Sequence, residues 1–245
     1  MAHILRSIRS ACKRHGLAKS FSLIALNAIY FSKRALRLSA ADALELDEFD
    51  RVHGTETSHI REVGSLGIES VNARYAVRYE PSDADIFKNL LGRIDADLSS
   101  FSFVDFGCGK GRALLLASNH PFRKIVGIEF SRELADIAKR NISLYHGAEQ
   151  SCRSITVVTC DATEYEVPDE ALVCYFYNPF GAEVLRKVVG NLIDSLQRCE
   201  REIFLVYLNP RHRSVIDQCA CWQPLSETPS CVIYRIGRYQ HARSP

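Results

Sequence analysis

The chain has 245 residues, 47% of them apolar and 24% charged, a balance that allows a sizeable core and excludes a disordered polar chain. Its net charge of +2 is unevenly laid out: residues 1–41 hold eight Lys or Arg (Arg6, Arg9, Lys13, Arg14, Lys19, Lys33, Arg34 and Arg37) and no Asp or Glu, which leaves −6 on residues 42–245. An acidic body does not favour nucleic acid as a partner. The nine cysteines form no C-x-x-C pair and the eight histidines no H-x-x-H or H-x-x-x-H spacing, so no metal site is expected and the reducing cytoplasm is the simplest compartment.

In chain order, residues 1–50 read as a basic helical extension in which Ile4, Ile8, Ala11 and Cys12 share a face. Two readings of this arm stay open: peripheral contact with an anionic membrane or a partner, or packing on the protein's own body with the basic face solvated. Its longest apolar stretch, "FSLIALNAIYF", is shorter than the about 20 residues that span a bilayer, and no signal-peptide cleavage site follows convincingly. The acidic run "ADALELDEFD" is expected to neutralise the arm. Residues 51–81, rich in glycine and polar residues, read as a connector loop. A helix is expected in "PSDADIFKNLLGRI", with Ser82 as N-cap and an apolar face of Ile86, Phe87, Leu90, Leu91 and Ile94.

From residue 101 the pattern alternates. Strand-like runs are "FSFVDF", "KIVGIEF", "ITVVTCD", "ALVCYFYN", "EIFLVYLN" and "CVIYRIG", with helical runs at 112–120, 132–146 and 182–198 between them. Strands this continuously apolar suit a parallel sheet covered by helices on both faces. The last run follows "WQPLSETPS" with no helix between, so a hairpin and one antiparallel strand are expected. The fold class is α/β, doubly wound, over a domain at 82–245.

The stretch "FVDFGCGKGR" joins the first strand to the first helix of this alternation, where doubly wound sheets bind ligands. Gly107, Gly109 and Gly111 permit positive φ and a close backbone approach to a ligand. The pattern is not a phosphate-cradling G-x-x-x-x-G-K-[ST] loop, and Arg112 stands where a dinucleotide fingerprint needs its third glycine. Asp105, at the strand tip, would repel a diphosphate and suits a ligand bearing an ammonium group. Glu129 ends the next strand, where a carboxylate accepts from a ribose diol, and Asp161 ends the one after, near the expected edge of an adenine.

Taken in order, "FVDFGCGKGR", "VGIEFS", "TCDAT" and "YFYNPF" resemble the class I, seven-stranded S-adenosylmethionine-dependent methyltransferases over about residues 80–237. The resemblance implies a mostly parallel seven-stranded sheet and S-adenosylmethionine as cofactor. It implies that Gly107, Cys108 and Gly109, with Gly111 closing the loop, lie against the methionine part. Glu129 takes the ribose hydroxyls, Phe130 flanks the adenine, and Asp161 with the backbone of Ala162 meets the adenine edge. Lys110 departs from the acidic or small residue frequent at its position and is expected to point to solvent.

"YFYNPFG" is similar to a shortened N-P-P-[FY] motif of amino-group methyltransferases, which implies Asn178, Pro179 and Phe180 as the acceptor wall. A second Asn-Pro, Asn209–Pro210, ends the following strand, so the pair also reads as this sheet's way of leaving a strand. Upstream, "RYEPSDADIF" resembles the segment preceding the core in seven-stranded protein-lysine methyltransferases. That implies Tyr79 and Glu80 at the methyl-transfer channel and cofactor, with Thr55 and Thr57 as weaker candidates and an anchoring aromatic and a helix-start acid as the alternative. The acceptor is then an amine nitrogen, with protein lysine favoured; a small molecule, a nucleic acid, or no turnover at all in a regulatory module are the other readings.

Overall fold

Residues two apart share a face of a strand, and here that period sorts the apolar side chains into two layers. Along β1, Ser102–Phe106, Phe103 joins one layer and Val104 and Phe106 the other. Along β4, Leu172–Tyr177, Val173 and Tyr175 join the first and Cys174 and Phe176 the second. The computed structural model describes residues 47–58 and 80–236. These lie in one unit, Leu46–Pro245, and the basic arm lies outside the described residues.

The elements run α1 (Glu48–His53), α2 (Ala84–Leu91), β1, α3 (Arg112–Ala117), β2 (Ile125–Glu129), α4 (Arg132–Leu144), β3 (Ile155–Thr159), β4, α5 (Ala182–Arg198), β5 (Ile203–Leu208), α6 (Ser214–Asp217), β6 (Gln223–Thr228) and β7 (Cys231–Ile236). They form a seven-stranded sheet in the order β3-β2-β1-β4-β5-β7-β6. All pairings from β3 to β5 are parallel, and β7 runs antiparallel to both β5 and β6. The order reverses between β1 and β4, so their carboxyl ends open the crevice where such sheets take ligands.

Helix α5 has the bounds its sequence stripe implies, and Val184, Leu185, Val188, Val189 and Leu192 bury that stripe against the second layer. Helix α2 differs from expectation at its start. Its N-cap is Asp83, whose side chain accepts from Ile86 N, while Ser82 is buried and meets the Tyr175 hydroxyl at 3.0 Å. Ile86, expected on the apolar face, is 49% exposed. The strand β6 comes from "QPLSET", whose proline and exposed residues hide it from a periodicity reading. It is an edge strand with a register shift between Pro224 and Ser226, the position at which proline is tolerated.

Helix α1 crosses residue 50, where the extension was expected to give way to the connector. Cys219 and Cys221, a C-x-C spacing outside the patterns considered from the sequence, are joined by a disulfide. Among the described residues, no helix is long and apolar enough to cross a membrane.

Leu192 is fully buried in the layer under α5. Leu192→Ala should lower unfolding stability by about 2–5 kcal/mol in chemical denaturation, whereas the half-exposed Ile86→Ala should change it by less than about 0.5 kcal/mol.

Candidate active site

The loop leaving β1 turns sharply, with φ of 84°, 52° and 87° at Gly107, Gly109 and Gly111. At Gly107 the need for glycine is twofold. The left-handed φ disfavours a side chain, and an added Cβ would lie 2.7 Å from Pro179 Cβ. The glycine loop and the Asn-Pro end of β4 are therefore in direct contact.

Four of the N–H groups of this loop are engaged within the protein. Those of Gly107 and Cys108 donate to Ile128 O, that of Gly109 to Glu129 Oε2 at 2.9 Å, and that of Gly111 to Cys108 O at 2.8 Å. A diphosphate cradle needs such groups turned toward the ligand, so this loop is built for a different one.

Two acids lie behind it. Glu129 is 3% exposed, and its Oε1 accepts from Ser131 N at 2.8 Å while Oε2 holds Gly109. Burial pushes its carboxyl up to about 7 against the pull of the Ser131, Gly109 and Phe130 N–H groups. Asp105 is equally buried, and no hydrogen bond reaches its carboxylate among the described residues. Burial, and then the nearby Glu129 charge, raise it well above the usual carboxylate range. A pair of buried acids with one unpaired member fits a ligand that brings an ammonium group and a diol.

The other cofactor-side candidates fall around this pair. Cys108 turns its side chain inward under Gly127, where an added Cβ would lie 2.7 Å from the sulfur, so only its backbone is left to the loop's outer face. Its thiol is raised by burial and by both acids. Asp161 Oδ1 accepts from Thr163 N at 2.9 Å and Thr163 Oγ1 at 2.7 Å, which fixes the carboxylate after β3. Ala162 is buried in the second layer, and Phe130 is partly exposed.

At the end of β4, Asn178 takes φ 42°; at the end of β5, Asn209 takes φ 50°. Both Asn-Pro pairs thus serve as strand exits. They differ in burial. Asn178 is 2% exposed and its Oδ1 has no hydrogen-bond partner among the described residues, whereas Asn209 is partly exposed. Phe180 is 9% exposed and packs edge-on to Phe176, so it backs this corner from the core. Glu80 lies beside β4, with the Tyr177 hydroxyl 3.5 Å from its Oε2. Tyr79 lies outside the described residues.

Lys110 does not point to solvent. It is fully buried, and its Nζ donates to Glu56 Oε1 at 2.9 Å. Arg112, also buried, reaches Asp47 and the Thr57 hydroxyl, lies 3.7 Å from Asp50 Oδ1, and stacks on Phe49 with its carbon 4.1 Å from the ring centre. Asp50 is fully buried and accepts from Thr55 Oγ1, Thr57 N and Oγ1, and Ser58 N, which holds its carboxyl down to about 2. Asn141 completes the joint. Its Nδ2 donates to Glu56 O and Lys110 O, and its Oδ1 accepts from Glu56 N.

Among the described residues the acids at 47 and 50 serve the glycine loop, and Thr55 and Thr57 buttress Asp50; the basic arm they were expected to neutralise lies outside the described residues. Sequence reading missed Asp50, Glu56, Asn141 and the role of Arg112. The one local signal was a basic pair, Lys110 and Arg112, set inside an otherwise buried turn.

Residues 103–199, from β1 through α5, match a family model described as a methyltransferase domain. This segment is similar to a methyltransferase domain. The chain is similar to a solved RNA methyltransferase from Salinibacter ruber bound to S-adenosyl-L-homocysteine, at 18% identity and TM-score 0.44, over 64% of this chain and 92% of that one. It is also similar to magnesium protoporphyrin IX methyltransferase from Synechocystis PCC 6803 with bound S-adenosylmethionine, at 16% identity and TM-score 0.41, over 63% and 76%. Likeness at this level does not bear on the acceptor. No curated protein matches the chain.

Replacing Arg112 by Leu leaves the buried Asp50 without its cation. The variant should lose about 3–5 kcal/mol of stability in chemical denaturation, and Arg112→Lys should recover only part of it, because an ammonium cannot span Thr57 and the carboxylates while stacking on Phe49.

Proposed function

We propose that this methyltransferase transfers the methyl group to an amine nitrogen, with a protein lysine as the favoured acceptor. The observation that carries the reading is the Asn178 amide oxygen, buried and without a partner among the described residues at the carboxyl end of β4. A buried carbonyl left unpaired is costly, and an N–H brought by the acceptor satisfies it. Pro179, in contact with Gly107, ties that oxygen to the loop that faces the cofactor.

S-adenosylmethionine supplies a methyl group on a sulfonium sulfur, open to in-line displacement by a neutral amine. Asn178 orients the incoming nitrogen by accepting its N–H, so that the lone pair faces the methyl carbon. Glu80, beside Tyr177 at the same strand end, provides a carboxylate that attracts a lysine ammonium before it sheds its proton to solvent. On the cofactor side, Asp105 meets the ammonium group. Glu129 meets the ribose diol, Phe130 the adenine face, and Asp161 with Ala162 the adenine edge. The Gly107–Gly111 turn gives the methionine part close backbone contact.

Asn178→Ala should keep S-adenosylhomocysteine affinity within about threefold while lowering methyl incorporation into lysine by about 10²-fold, the order lost when one such orienting group is removed. Calorimetry and mass spectrometry of protein labelled in a cell lysate measure the two quantities. Equal loss of both would make Asn178 structural, and label on other nucleophiles would replace the lysine reading.

A further inference from the structure

Asn178 has a neighbour whose surroundings bear on which lysines reach it. Tyr177 of β4 pairs with Leu208 of β5 in parallel register, strands about 5 Å apart, and Asn178 and Asn209 are the residues that leave this pair of strands. At Asn209 a cavity of about 450 Å³ opens between the exit of β5 and the β6–β7 turn. Pro210 and Pro229 form stiff parts of its rim, and Arg211, Arg213 and Glu227 supply its charge. The volume lies within the range of small-ligand sites.

The two arginines are treated differently. Arg213 is neutralised: its Nε donates to Asp217 at 2.9 Å and its Nη1 and Nη2 to the two oxygens of Glu227. Arg211 is exposed, and among the described residues its guanidinium makes no hydrogen bond or ion pair. The cavity thus presents one uncompensated cation, a planar fork suited to a carboxylate, one strand away from the acceptor-orienting amide.

We infer that this cavity is a specificity subsite for the acceptor, and that it selects a lysine with an acidic residue close by in the peptide, whose carboxylate Arg211 holds. The inference rests on the lysine reading above. An acidic peptide fits better than a nucleic acid because the body carries −6 over residues 42–245. A polyanion needs a row of basic contacts. A single carboxylate needs only the local fork, since charges beyond about 8 Å are largely screened at physiological salt.

The test uses the full chain with S-adenosylhomocysteine present and peptides bearing a central lysine flanked by glutamate, glutamine or arginine. Fluorescence anisotropy should give tightest binding for the glutamate-flanked peptide. Arg211→Glu should weaken that binding about tenfold or more, with Arg211→Ala intermediate and the arginine-flanked peptide gaining in the charge-swapped variant. Binding indifferent to flank charge or to Arg211, or no peptide binding, overturns the subsite. So does a single-stranded RNA oligonucleotide that depends on Arg211 more strongly than the acidic peptide. Methyl transfer measured in parallel separates the two claims. Lysine labelled without flank preference leaves the lysine reading standing without the subsite, whereas Arg211-dependent binding with no label on lysine leaves the subsite without the lysine reading.

Discussion

The Glu129 carboxylate holds the site together. One oxygen takes the Gly109 N–H from the turn after β1, and the other takes the Ser131 N–H at the start of α4. A single buried acid thereby joins the loop over β1 to the exit of β2. The N–H groups of Gly107, Cys108 and Gly111 are likewise engaged within the protein, and two buried carboxylates, Asp105 and Glu129, stand behind the turn. Such a turn suits the nucleoside with a cationic amino-acid tail proposed here better than a diphosphate.

A second joint sits on the same turn. Lys110 and Arg112 carry charge into the protein interior, which is tolerable only because Glu56, Asp47, Asp50 and Thr57 meet them there. The segment 47–58 is therefore part of the loop's support. On the opposite side, Pro179 rests on Gly107, so the turn is bounded by the 47–58 segment on one side and by the Asn-Pro exit of β4 on the other.

Much of this was legible in the sequence. The apolar runs place β1, β2, β4, β5 and β7 to within a residue or two because a buried strand leaves little choice of side chain; β3, partly exposed at the sheet edge, is legible from its β-branched residues, and α5 follows its stripe to both ends. The strand-end acids stand out for the same reason: a charge at the tip of an apolar run has no packing role. Strand β6 was hidden because an edge tolerates proline and exposed residues. The partners of Lys110 and Arg112 were hidden by distance, lying 54 to 65 residues upstream in a stretch that reads as a polar connector. Asn178 and Asn209 look alike in sequence and in backbone; only burial, a property of the folded chain, separates the amide with an unpaired oxygen from the one at the rim.

Burial lifts the Glu129 carboxyl to about 7, so the acid is largely protonated in slightly acidic solution. The ionised carboxylate offers both oxygens to the two ribose hydroxyls, whereas the protonated acid gives one oxygen to its own O–H, so a ligand seated there favours loss of that proton, and affinity rises with pH up to about 7 and then levels. Titration calorimetry of S-adenosylhomocysteine at about pH 6.5, in two buffers of different ionisation enthalpy, reads that proton directly. Net proton release on binding, reduced in Glu129→Gln, is the expected result. Binding with no release, or with uptake, would contradict the role of the buried carboxylate in holding the cofactor.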